Sequence, residues 1–133
     1  MTTENQDLAL NFLKSVQDGD LEGAFSYTTE DITFRPIGTH PEMGRAFTGK
    51  DDILNNCWLA VFEHISPEGV PMTIENIASG ENTAFIEFSG KAKGRSGMPY
   101  NNEYVHVYQI RGDKICSITE YFDTALFNKL LEQ

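Results

Sequence analysis

Apolar residues recur at two different periods along this chain, and the change of period divides it into helical and extended parts. Leu8, Phe12, Leu13 and Val16 share one helical face until Asp18-Gly19-Asp20 interrupts, a glycine stop followed by an aspartate suited to cap the next helix. A short second helix is predicted from Leu21 to about Tyr27. From Asp31 to Arg35 the pattern alternates residue by residue, as in a strand with one buried face, and Pro36-Ile37-Gly38 ends it. The stretch onward to Thr48 is rich in turn formers and long for a loop in a small domain. Such loops form pocket mouths and, equally, plain solvated connections. A third helix opens at Thr48 or Gly49. Its Ile53, Leu54, Cys57, Trp58, Val61, Phe62 and Ile65 make one broad apolar stripe that needs another layer to cover it.

Beyond Ile65 the spacing is that of strands: Met72 to Ala78, Thr83 to about Lys93, Tyr100 to Ile110, and Ile115 to Asp123. Turn sequences Ser79-Gly80-Glu81-Asn82, Gly94-Arg95-Ser96-Gly97 and Arg111-Gly112-Asp113-Lys114 separate them, and Thr124 to Leu131 reads as a closing helix. Helices first, one strand, a long helix and then a four-strand meander predict an α+β fold with helices packed on one face of a curved antiparallel sheet. At 133 residues the chain is long enough for one core without disulfides and has no room for a second domain, so residues 1–133 are expected to form a single domain. A sheet curved around a helix leaves a concave mouth, a natural place for a ligand.

Twenty acidic residues against ten basic ones set the net charge at −10, a field that repels phosphate backbones and anionic headgroups alike. Nucleic acid and membrane surfaces are therefore not expected as partners, and plain solubility accounts for the charge. The N-terminal MTTENQDLALNF has neither a basic leader nor an apolar run of spanning length, which predicts a cytoplasmic protein. Cys57 and Cys116 lie far apart inside apolar segments and read as reduced packing residues. His40, His64 and His106 show no metal-ligand spacing, and the phosphate-cradling and serine-nucleophile motifs are missing. No metal and no cofactor is expected.

The segment from Gly97 to Asp123, with its strand, glycine turn, Lys114-Ile115 pair and Tyr121-Phe122-Asp123 ending, resembles the C-terminal hairpin of SnoaL-like proteins. Asp18-Gly19-Asp20 and the run Phe47-Thr48-Gly49-Lys50-Asp51-Asp52-Ile53 extend the likeness over nearly the whole chain. The resemblance implies the NTF2-like cone, a cystatin-like α+β barrel whose mixed or antiparallel sheet wraps a long helix. It also implies kinship with the ketosteroid-isomerase-related branch and dimerisation through the sheet. That superfamily spans isomerases, polyketide cyclases, epoxide hydrolases and non-catalytic binding proteins, so the fold leaves the activity open.

Alternation on the strand from Tyr100 places Asn102, Tyr104, His106 and Tyr108 on one face. On the next strand Cys116, Ile118, Glu120 and Phe122 share a face. A strict two-residue turn at Gly112-Asp113 would mismatch the two sets, and a three-residue turn with a bulge aligns them; the family resemblance implies the bulge. His106 and Glu120 then point into the cone as the catalytic candidates, with Asn102, Tyr104, Tyr108 and Phe122 around them. Phe12, Arg35, Trp58, Phe62 and Glu87 complete the expected substrate-binding set, with an Arg35–Glu87 ion pair weighed among its members. Inward polar groups of this kind mark either a ligand pocket or a fully hydrogen-bonded core.

By resemblance to ketosteroid isomerases, His106 stands for their oxyanion-hole Asp, Arg35 lies near their general-base Asp and Phe12 replaces their oxyanion-hole Tyr. All three differ, so steroid isomerisation by that route is not expected. The Asp-Arg-Asp set of limonene-epoxide-hydrolase-like proteins is also broken, since Glu87 and Ser89 stand at two of its places. Two functions stay open at this point. One is an isomerase- or cyclase-type enzyme in which His106 moves a proton on a small carbonyl or cyclic substrate and Glu120 orients it. The other is a non-catalytic ligand-binding module, with epoxide hydrolysis as a further alternative. The outer face of the last two strands, with Val105, Val107 and Tyr121, calls for a cover, either a second subunit or the chain's own terminal helix.

Overall fold

The computed structural model describes residues 2–133. Helix α1 (Glu4–Gln17) starts at a capping box in which Thr3 and Gln6 exchange hydrogen bonds. Asn5 reaches the carbonyls of Gly80 and Glu81 at 3.1 and 3.0 Å, so the start of α1 is tied to a distant hairpin turn. Asp20 caps α2 (Leu21–Phe25) through the Gly23 amide, and this helix ends two residues before the predicted boundary. Ala9, Phe12 and Leu13 form the buried stripe of α1.

The third helix, α3, runs in α form over Lys50–Asp52, in π form over Ile53–Trp58 and in α form again over Leu59–Phe62. The widened turn has no counterpart in the apolar stripe, which treated this region as one regular helix. Ile53, Cys57 and Trp58 are its buried residues, and π turns of this kind recur at functional sites. Asp52 fastens the start of α3 by accepting from Arg45, from the Thr48 amide at 2.9 Å and from Asn56 at 2.8 Å. The Arg45 guanidinium, stacked 3.7 Å above the Phe47 ring, holds the Asp52 carboxyl well below the usual carboxylate range. The long loop after Pro36 is thus anchored at its far end.

Strands β1 (Thr28–Pro36), β2 (Phe47–Thr48), β3 (Met72–Ser79), β4 (Thr83–Gly90), β7 (Glu103–Arg111) and β8 (Lys114–Phe122) form one sheet in the order β2-β1-β8-β7-β4-β3. The β1–β8 pair is parallel and every other pair antiparallel, so the sheet is mixed. Two short strands, β5 (Ala92–Lys93) and β6 (Pro99–Tyr100), form a separate ladder. They belong to segments that the alternation pattern merged into β4 and β7; the chain instead leaves the main sheet at Gly90 and rejoins it at Glu103. Helix α4 (Thr124–Glu132) begins at an Asp123 cap on the Leu126 amide.

The β7–β8 hairpin sets the geometry of the concave face. Arg111 pairs with Lys114 across a two-residue turn whose Gly112 takes φ +67°, a value only glycine adopts without cost. The register then shifts by one: Ile110 faces Ile115, but Gln109 faces Ser117, leaving Cys116 as the extra residue. The bulge therefore lies inside β8 and not in the turn as expected. In consequence Ile115 is the fully buried neighbour of Ile118, and Cys116, half-buried with its thiol donating to the Gln109 carbonyl, drops out of the inward set. Beyond the bulge the pairs are Tyr108–Ile118, His106–Glu120 and Tyr104–Phe122. One inserted residue brings the even-numbered positions of both strands to one face.

Candidate functional site

Helices α1 and α3 stand off the concave face of the sheet and enclose a cavity of about 440 Å³, within the range of small-ligand sites. Phe12, Leu13 and Val16 of α1 form one wall, and Cys57, Trp58, Val61 and Phe62 of α3 the other. The sheet supplies Phe34, Phe88, Tyr104, His106 and Glu120. Tyr100 and Phe127 close one end, and the segment around Ile65–Val70 with Arg95 borders the opening. Trp58 is the hub of the aromatic lining, stacked on Phe25 at 5.1 Å and meeting Phe34 edge-on at 5.7 Å.

At the floor, His106 is held on all sides. Its ring meets Phe88 edge-on at 4.8 Å and Phe34 at 6.0 Å. Nδ1 lies 2.7 Å from the Tyr108 hydroxyl and Nε2 lies 2.6 Å from Glu120 Oε2. With neutral imidazole, Nε2–H donates to the carboxylate and the Tyr108 hydroxyl donates to Nδ1; with imidazolium, both nitrogens donate and the hydroxyl accepts. Either state satisfies the chain of three groups, and neither leaves a ring nitrogen for a ligand. Glu120 is different. Its side chain is 21% exposed, and among the described residues nothing donates to Oε1, so this oxygen is the one open to the cavity. Imidazole and carboxylate thus exchange the roles that the sequence led us to expect: Glu120 presents itself and His106 orients it from behind.

Two phenols share the cavity with Glu120. Burial pushes Tyr100 up to about 12 and Tyr104 higher still, with the nearby Glu120 charge adding to both, so each is an O–H donor throughout the neutral range. Tyr100 accepts from Asn102 Nδ2 at 3.1 Å, which leaves its own hydroxyl proton to offer. Burial also raises the Cys57 thiol, again with a contribution from Glu120, and such a thiol is inert as a nucleophile. Among the described residues there is no group of three His, Cys, Asp or Glu placed to hold a metal ion.

Of the expected site residues, the structure brings Phe12, Trp58, Phe62, Tyr104, His106 and Glu120 to the cavity. Tyr108 lies one layer deeper, fully buried beneath His106. Phe122 packs on Tyr104 and edge-on against Phe127 without reaching the cavity. Asn102 is a structural clamp. It accepts from the amides of Glu103 and Asp123 at 2.8 and 3.0 Å and donates to the Asp123 carbonyl and to Tyr100, which uses all four of its bonding positions. Arg35 and Glu87 must be corrected outright. Arg35 pairs in register with Thr119, and Glu87 with Val105, on the convex face; Glu87 accepts from Asn76 there, and no Arg35–Glu87 ion pair forms. Their neighbours Phe34 and Phe88 take the inward places, because a strand sends successive side chains to opposite faces. Ser89 bonds Glu75 on β3, so the triad positions of an epoxide hydrolase do not converge. Tyr100 and Arg95 were missed; the first sits in a two-residue strand and the second in a turn, where no periodicity signals orientation.

Residues 9–118 match the family model of the SnoaL-like domain. The chain belongs to the SnoaL-like domain family. Its structure is also similar to several solved ones. An NTF2-like protein of unknown function from Burkholderia pseudomallei superposes with a TM-score of 0.87 at 16% identity, covering 99% of this chain and 100% of that one. TerC, co-crystallised with polyporic acid, gives 0.83 at 20% identity over 98% and 100% of the two chains. A protein with a ketosteroid isomerase-like fold from Catenulispora acidiphila, in complex with trimethylamine, gives 0.73 at 16% identity over 95% and 92%. No curated protein matches the chain. These likenesses establish the NTF2-like α+β fold of this SnoaL-like chain. No helix is long and apolar enough to cross a membrane among the described residues.

Proposed function

We propose that this SnoaL-like chain, acting as a single domain over residues 1–133, binds a small organic molecule and moves a proton on it, in the manner of an isomerase or cyclase. The observation that carries this reading is the saturated imidazole: both His106 nitrogens are engaged, and the carboxylate they orient keeps one oxygen toward an aromatic cavity beside two protonated phenols. Glu120 takes a proton from a carbon next to a carbonyl. The electron pair moves onto the carbonyl oxygen, where Tyr100 and Tyr104 donate hydrogen bonds to the developing oxyanion. Return of the proton to a conjugated carbon completes isomerisation, and exchange of the Glu120 carboxyl proton with solvent before return to the same carbon completes hydrogen exchange. Such a positioned base contributes roughly 10²–10⁴-fold to rate.

Proton exchange at such carbons is measurable without knowing the natural substrate. Cyclic ketones and diketones incubated in D₂O are followed by NMR; the protein is expected to accelerate deuterium uptake by at least one of them, and Glu120→Gln to lose about 10² or more of that acceleration. Uptake at the buffer rate across the panel, or an undiminished Glu120→Gln, removes the catalytic reading. A ligand recovered unchanged from such an inactive protein supports simple binding, the reading favoured by the largely apolar cavity walls and by the small molecules bound in the two relatives named above.

We further propose that two copies associate through the convex face of the sheet. Phe85 and Tyr121 stand 40% and 45% exposed there, beside half-buried Val105 and Val107. Helix α4 packs instead against β6 and sends Phe127 to the cavity, so it does not cover this face. Sedimentation should show a dimer that Phe85→Glu converts to monomer; a wild-type monomer at tens of micromolar would dispose of the idea. Unpaired Cys57 and Cys116 support a reducing compartment, the cytoplasm.

A further inference from the structure

Among the described residues the cavity has one fixed cation. Arg95 lines its opening, while the other charged members of the lining are Glu120 and, when protonated, His106. Among the described residues no carboxylate pairs with Arg95. Its Nε donates to the Glu63 carbonyl, which leaves the two terminal nitrogens unengaged. Unlike Arg45 and Arg111, which pair with Asp52 and Asp31, Arg95 keeps its guanidinium free of a carboxylate while lining the cavity.

The residue is also held in place. Its amide donates to the His64 carbonyl at 2.9 Å, and the tight turn around it is closed by Gly94 to Met98 at 2.8 Å and Gly97 to Gly94 at 2.9 Å. Gln133 then clasps the turn from the chain's end, donating to the His64 carbonyl at 2.6 Å and accepting from the Ser96 amide at 3.0 Å. Lys93 borders an adjoining depression with Arg95 and adds positive potential on the same side of the opening; Glu68 lies there too, without pairing to either.

We propose that Arg95 selects ligands bearing a carboxylate, bound with the acid group at the opening and the apolar, reactive end against Glu120 at the floor. This inference rests on the cavity being a ligand site and adds its substrate class: aromatic or alicyclic acids of a size that fits about 440 Å³. The protein's overall field and Glu120 both repel an anion, so a preference for one can only come from a local, geometrically suited donor. A guanidinium fork supplies that through paired hydrogen bonds.

The test compares 2-naphthoate with its uncharged isostere 2-naphthamide by isothermal titration. Wild type should bind the carboxylate roughly two- to fivefold more tightly, the range of a solvent-exposed charge pair. Arg95→Gln should bring the carboxylate to or below the amide, since only repulsion then remains, and Arg95→Lys should keep part of the preference. Raising salt from about 0.05 to about 0.5 M should shrink the wild-type preference. Equal binding of the two probes by wild type, binding of neither, or a preference that survives Arg95→Gln overturns the proposal. In Glu120→Gln the preference should persist; failure of the proton chemistry therefore leaves this result standing, and equal binding by an exchange-active protein removes only the role of Arg95.

Discussion

Asn102 offers the sharpest separation of a ligand-binding from a structural role, because the strand pattern assigned it the first and the structure the second. It is 1% exposed and ties the start of β7 to the junction of β8 and α4 through bonds to Glu103, Asp123 and Tyr100. Replacement by Ala leaves the amides of Glu103 and Asp123 and the Asp123 carbonyl to find water in a partly buried place. At about 1 kcal/mol for each lost bond, the loss is about 3–4 kcal/mol. For a chain of this size that lowers Tm by roughly 10–15 °C. Urea unfolding should show the midpoint falling with the slope unchanged. Asn102→Asp keeps the size and the accepting oxygen but sets a carboxylate oxygen against the Asp123 carbonyl, so it should be destabilised as well. Naphthamide affinity, corrected for the folded fraction, should stay within twofold of wild type in both variants. A loss of stability under about 1 kcal/mol together with weakened ligand binding would refute the clamp and restore Asn102 to the site.

Tyr108→Phe strips the partner from His106 Nδ1 in a fully buried place, and should cost about 1–3 kcal/mol in urea unfolding; a cost below about 0.5 would mean the ring nitrogen finds another donor. Asp52 is ionised more readily in the folded protein than in the unfolded chain, held by Arg45, Asn56 and the Thr48 amide. Its contribution is therefore complete above the unfolded carboxyl value of about 3.9 and fades as pH drops below it toward the folded one. Asp52→Asn should melt earlier than wild type at pH 7, with the gap closing on acidification below about pH 4; a gap that is constant with pH would show that the carboxylate charge contributes nothing.

Much of this protein was legible in its sequence, for identifiable reasons. Helical and alternating periods report which face of a segment is apolar, a local property; they placed α1 and the cavity-facing Cys57, Trp58, Val61 and Phe62 of α3 and set Tyr104 and His106 on one face, while the alignment of Glu120 with them was implied by the family resemblance. The family resemblance supplied the cone itself. Where orientation depended on analogy instead of alternation, as for Arg35 and Glu87, the assignment failed, although alternation with Phe34 and Phe88 as the buried residues would have put both outside. Only the tertiary structure decided the rest. The parallel pairing of β1 with β8 joins strands far apart in the chain, and the bulge at Cys116 and the π turn in α3 are irregularities that a regular two- or 3.6-residue period does not report. The same holds for the site's chemistry. That His106 has no free nitrogen and Glu120 keeps one open oxygen follows from the register that sets Tyr108, His106 and Glu120 side by side on two paired strands, and that Arg95 lines the cavity follows from a turn held against Glu63 and His64; strand pairing and packing create these arrangements and composition cannot.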